Sequence, residues 1–97
     1  MRVALTSEAK VEFAAVLEWY GTQAPRIVRR FIDEFDALTE RLADNPRQFP
    51  AVRGTLRRAG FRRFPYGLFF RIHPDYVEVV GCLYAGRDPR HWQRRAQ

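Results

Sequence analysis

The repeat of hydrophobic and polar positions changes along this chain, and the changes mark out its elements. Arg2-Val3-Ala4-Leu5-Thr6 alternates, as a short half-buried strand does. Thr6 or Ser7 is suited to cap a following helix, with Glu8 in its first turn where the helix dipole favours an anion. Ala9, Phe13, Val16, Leu17 and Tyr20 then recur every three or four residues, one helical face, and Gly21 is placed to end it. Pro25 suits the first position of a second helix, on which Val28, Phe31, Phe35, Leu38 and Leu42 repeat regularly until Asn45-Pro46. Two helices so closely joined predict an antiparallel hairpin.

After this the period shortens. Arg47 to Gly54 holds two prolines and reads as a loop, and Leu56 to Phe64 reads as an arginine-rich strand. Gly67 to Ile72 and Tyr76 to Tyr84 read as buried strands joined by the turn His73-Pro74-Asp75, close enough to form a hairpin. Arg87 to Gln97 is a basic tail. The predicted layout is β-α-α-β-β-β: an α+β fold with the helical hairpin on one face of a small, mainly antiparallel sheet, a single domain over residues 1–97.

Composition narrows the class. The chain has 97 residues, 46% apolar and 14% aromatic, too hydrophobic for a disordered chain. No run approaches the ~18–20 apolar residues of a membrane span, and no signal-peptide pattern opens the chain. The lone Cys82 excludes a disulfide-built scaffold, and the expected setting is the cytoplasm. Two histidines and one cysteine at unrelated positions give no metal-ligand spacing, and no phosphate-cradling glycine loop occurs. The reading needs no metal and no cofactor.

Charge supplies the first hint of function. The net charge is +6, but residues 1–50 carry seven basic and eight acidic side chains, while residues 51–97 carry ten arginines and three acids. A basic half implies an acidic partner, nucleic acid or protein. Arg57, Arg58, Arg62 and Arg63 form the densest cluster; as one strand they would alternate, Arg58 and Arg62 on one face and Arg57 and Arg63 on the other. In the tail, Arg87, Arg90, Arg94 and Arg95 flank Trp92, and arginine and tryptophan are both enriched at binding hot spots. Phe61, Phe64, Tyr66, Phe69 and Phe70 are expected mostly in the core, because a domain this small needs its aromatics inside.

Leu5-Thr6, Ala9, Trp19-Tyr20, Phe31, Leu38, Asn45-Pro46 and Phe49-Pro50 resemble the first half of the RelE/ParE toxins of bacterial type II toxin–antitoxin systems. The block from Arg62-Arg63-Phe64-Pro65-Tyr66 to Ile72, then Val77 to Val80 and Arg87-Asp88-Pro89-Arg90, resembles the ParE-like branch in particular. The resemblance implies a growth-inhibiting toxin held inactive in a heteromeric complex by a cognate acidic antitoxin, whose C-terminal segment wraps over it by helix-in-groove docking or strand addition. ParE-like toxins act on DNA gyrase; RelE-like toxins cut messenger RNA on the ribosome.

As a ribonuclease, the chain would use Arg62, Arg63, Arg87 and His91 around the phosphate. That branch carries an arginine directly after the aromatic residue that opens its third strand, yet here Tyr66 is followed by Gly67. Trp92 stands where the branch has its C-terminal tyrosine, and offers no titratable hydroxyl. The gyrase-binding reading is therefore preferred, with the ribonuclease and a simple basic nucleic-acid-binding module as alternatives.

Overall fold

The computed structural model describes residues 1–84, together with Gln93 and Arg95. Strand β1 (Arg2–Leu5) leads into helix α1 (Ser7–Gln23), and Thr6 at the junction serves both. Its backbone N–H donates to the Val79 carbonyl at 3.0 Å, extending the strand's ladder. Its hydroxyl accepts from the Ala9 N–H at 3.1 Å and caps the helix.

Helix α1 continues two residues past Gly21, where it was expected to end. The stop comes from Pro25, whose ring disfavours helical backbone at the residue before it; Ala24 lies at φ −153°, ψ 69°. Pro25–Ile27 make one 3₁₀ turn, so helix α2 (Val28–Asp44) begins three residues later than the proline suggested. Asn45, before Pro46, ends α2 in the same way at φ −152°, ψ 85°.

The stretch expected as a loop contains a 3₁₀ turn at Pro46–Gln48 and a short strand, β2 (Ala51–Arg53). β2 pairs with β3 (Leu56–Gly60) around Gly54, whose φ of +55° suits glycine. β3 stops at Gly60, well before the expected Phe64, because the chain bends at 61–65 to turn Phe61 and Phe64 inward. β4 (Tyr66–Ile72) and β5 (Tyr76–Tyr84) form the expected hairpin.

The sheet order is β1-β5-β4-β3-β2, with β1 parallel to β5 and the other pairs antiparallel. This is the predicted α+β arrangement, with a fifth strand added. A register shift at Phe69/Phe70 places those residues opposite Gly81 and Val79 and leaves Val80 extra. Val77, Val79 and Cys82 accordingly face the helices, while Val80 packs with Leu56 and Phe69 on the other face.

The helices lie antiparallel across the first face. Phe13 meets Phe35 at 4.2 Å between ring centroids, and Tyr20 meets Phe31 at 5.7 Å. Phe31 is fully buried and is the hub: Phe61 stacks on it at 4.7 Å and Phe64 meets it edge-on at 5.0 Å. These contacts hold the 61–65 bend against the start of α2. Among the described residues no helix is long and apolar enough to cross a membrane.

Candidate partner-binding site

The bend is fixed from two sides. The Phe61 N–H donates to the Tyr66 carbonyl at 2.9 Å, closing it. Glu34, on α2, accepts the backbone N–H groups of Arg62 at 2.8 Å and Arg63 at 3.3 Å through Oε1. With Phe61 and Phe64 inside, Arg62 and Arg63 point outward and are exposed. They belong to this bend and not to a strand, which corrects the expected strand-face alternation with Arg57 and Arg58.

Between the bend and α2 runs an open groove of about 590 Å³. Arg26, Arg29, Arg30 and Arg41 line it from the helix side and Arg62 and Arg63 from the bend, with Ala37, Leu38 and Gly60 also in its lining. Its two carboxylates are committed: Asp33 pairs with Arg29 at 3.1 Å, and Glu34 holds the bend. The Arg41 guanidinium donates to Gln48 Oε1 at 2.9 Å and lies 4.8 Å from the centre of the Phe49 ring. The side chains of Arg26, Arg30, Arg62 and Arg63 make no hydrogen bond or ion pair among the described residues. Four exposed cations, from the Pro25–Ile27 turn, α2 and the bend, thus line one opening without a partner among the described residues.

Arg57 and Arg58 are placed differently. Arg57 lies on the helix-facing side of β3 and donates to the Phe49 carbonyl at 2.6 Å. Arg58, on the other face, lays its stem over Gly67: a Cβ there would sit 3.0 Å from its Cγ and 3.3 Å from its Cδ. No larger residue fits at position 67 unless Arg58 moves.

Arg95 forms the second charged centre, and it is turned inward, with a side chain 11% exposed. Its Nη1 and Nη2 donate to the two oxygens of Glu12 at 2.9 and 2.7 Å, Nη1 also donates to the Val80 carbonyl at 3.1 Å, and Nη2 pairs with Glu8. The Arg95 carbonyl accepts from Arg71 Nη2. Glu12 also accepts the Cys82 N–H at 3.1 Å. Glu12 and Arg95 therefore occupy the flank of β5 beyond the end of β1, one satisfying an N–H and the other a carbonyl. The guanidinium comes so close over Gly81 that a Cβ there would collide with it. The Glu12 hydrogen bond and its charge hold Arg95 even more firmly protonated than usual. Arg87, Arg90, His91, Trp92 and Arg94, the other tail residues expected at a site, lie outside the described residues.

Burial, aided by the Glu12 charge, pushes the Cys82 thiol up to about 12, so it is held protonated and is a poor nucleophile near neutral pH. Burial also raises the Tyr20 and Tyr66 hydroxyls. His73 hydrogen-bonds Glu78 at 3.0 Å and stacks on Tyr76 at the β4–β5 turn. Among the described residues no group of three or more His, Cys, Asp or Glu side chains is placed to hold a metal.

Counting charge along the chain gives no hint of Arg26, Arg29, Arg30 or Arg41, because neighbouring acids on α2 cancel them. The helical period was the available signal, since it leaves these arginines off the apolar stripe.

The family model described as "ParE toxin of type II toxin-antitoxin system, parDE" matches residues 3–89. No curated protein sequence matches the chain. Among solved structures, the chain is similar in fold to one described as "Chromosomal ParDE TA system from P. aeruginosa". The TM-score is 0.75 at 16% identity, over 89% of this chain and 97% of that one.

Proposed function

The chain belongs to the ParE toxin family of type II toxin–antitoxin systems, and on that premise we propose that it arrests growth by binding DNA gyrase and is neutralised by a cognate acidic antitoxin. The observation that carries the reading is the family match, which runs from β1 through β5 and includes the whole arginine-bearing bend. On this reading the chain works in the cytoplasm as one domain, held in a heteromeric complex until it is released. Arg62 and Arg63 present free donors to a partner, whereas Arg57, Arg58 and Arg95 are engaged within the fold.

Position 67 supports a target other than messenger RNA. The RelE-like branch places an arginine there, and here the space above Gly67 is filled by the stem of Arg58.

The test is expression of the chain alone in bacteria, paired with a gyrase supercoiling assay on the purified protein. Growth arrest with inhibited supercoiling and intact transcripts is expected. Unimpaired growth, or arrest with messenger cleavage and unaffected gyrase, overturns the proposal.

A further inference from the structure

The groove between α2 and the 61–65 bend is lined by six arginines against two carboxylates, a net charge of +4. Arg26, Arg30, Arg62 and Arg63 are exposed, and their side chains have no partner among the described residues. α2 starts with no capping side chain and no acid in its first turn, so the positive end of its dipole adds to the field there. The groove therefore suits a strongly anionic occupant.

The rest of the lining decides between kinds of anion. Its apolar part, among the described residues, is Ala37, Leu38 and Gly60. Leu38 is only 4% exposed and Gly60 has no side chain, so little more than the Ala37 methyl is on offer. That is too small a surface for the apolar anchors of an acidic amphipathic peptide. No aromatic side chain of the described residues lines the groove, and single-stranded nucleic acids depend on rings against which their bases stack. A duplex needs neither, because its bases are already stacked and its outer surface is a row of phosphates. Arginine forks pair with phosphate bidentately. Arg26 and Arg41 are fifteen residues apart, and at ~1.5 Å per residue that wall is roughly 22 Å long. One strand of a duplex carries a phosphate about every 3.4 Å along its axis, so roughly six pass along such a wall.

We propose that this groove grips the sugar–phosphate backbone of duplex DNA through Arg26, Arg30, Arg62 and Arg63, without reading base sequence. The choice of DNA among duplexes rests on the reading of the chain as a gyrase inhibitor, since that target itself works on DNA. The chain then touches both the enzyme and the DNA that the enzyme holds.

The test uses the purified full chain, without gyrase, and fluorescent probes read by anisotropy between about 50 and 200 mM salt. The probes are two sixteen-base-pair DNA duplexes of unrelated sequence, their single strands, an RNA duplex of equal length, and a sixteen-residue Glu/Leu peptide. The two DNA duplexes should bind within about twofold of each other, and more tightly than the single strands or the peptide. Four phosphate contacts should give the logarithm of the binding constant a slope of about −3.6 against the logarithm of salt concentration. Arg30→Gln with Arg62→Gln should bring that slope to about −1.8 and weaken duplex binding by about tenfold or more. Arg53→Gln, an exposed change outside the groove, should keep the slope and shift affinity less than about twofold.

All three substituted side chains are exposed, and circular dichroism checks that the variants fold. A salt slope that the paired change leaves in place overturns the proposal. So does a peptide or single strand that binds more tightly than the duplexes and is lost in the same variant, which gives the groove to that ligand. An RNA duplex bound about tenfold more tightly than DNA overturns the choice of DNA. Supercoiling assays on the unaltered chain separate these outcomes from failure of the gyrase reading. If gyrase is inhibited while duplex binding ignores the groove arginines, the groove assignment falls alone. If gyrase is unaffected, the gyrase reading falls, and the binding series still judges the groove.

Discussion

Replacing Arg95 with alanine should cost far more stability than removing any arginine of the groove. The guanidinium gives up a bidentate pair with Glu12, a contact with Glu8 and a hydrogen bond to the Val80 carbonyl. Breaking a fully buried pair costs about 3–5 kcal/mol. Here Glu12 is 20% and Glu8 62% exposed, so water recovers part of the loss and about 2–3 kcal/mol is expected. For a chain of this size that lowers Tm by about 10–20 °C. Glu12→Gln keeps an acceptor for the Cys82 N–H and should cost only about 1 kcal/mol. Glu12→Ala orphans that N–H as well and should match or exceed Arg95→Ala. The exchanged pair Glu12→Arg with Arg95→Glu should fail to rescue, because an arginine at position 12 cannot accept from Cys82. Thermal and urea unfolding of Arg95→Ala, Glu12→Ala and the double variant Glu12→Ala with Arg95→Ala, combined as a double-mutant cycle, should give a Glu12–Arg95 coupling of about 1–2 kcal/mol. Additivity within ~0.3 kcal/mol, or rescue by the exchange, would refute the network as described.

Other expectations are simpler to check. Phe31→Ala, which empties the hub of the aromatic cluster, should destabilise the fold by about 3–5 kcal/mol in urea unfolding. Glu34→Ala should cost about 1–2 kcal/mol and leave the backbone amides of Arg62 and Arg63 exchanging with solvent markedly faster. Alkaline stability follows from Cys82. Its thiol is held protonated up to about 12 in the fold but ionises near 9 when unfolded. The folded state therefore keeps a proton that the unfolded state loses, so stability should be intact below about pH 9 and fall as pH rises towards 12. Tyr20 and Tyr66, also raised, act in the same direction above pH 10. Native protein should accordingly resist thiol alkylation at pH 8, whereas urea-unfolded protein should react promptly.

Local features were legible where neighbours in sequence decide them. The α2 stripe, the β4–β5 hairpin and the inward aromatics follow from period and composition, and the structure has all three. Helix ends were less so, because Gly21 is an ordinary helical residue here while Pro25 acts backwards on Ala24. β2 is only three residues long, too short for alternation to register, and is held by its partner strand. The parallel pairing of β1 with β5 joins residues far apart in the chain, which no local pattern encodes. The groove escaped for a related reason: its cations come from a half of the chain whose net charge is −1 and meet Arg62 and Arg63 only once Phe61 and Phe64 dock on Phe31. Arg95 shows the converse. In sequence it belongs to a basic run, but in the fold its charge is spent on Glu8 and Glu12.

The pairing of β1 with β5 also sets an order of events at birth. The ribosome makes β1 well before β5, at roughly 5–20 residues per second, but Leu5 and Thr6 have no seat until Val79 has emerged. The helical hairpin can form early from local contacts, whereas the sheet closes late, after a long wait with its first strand unpaired. Synthesis interrupted before Val79 leaves a fragment without the strand that frames the fold. The sheet that backs the helical hairpin is thus complete only after β5 has been made, whichever element a partner meets first.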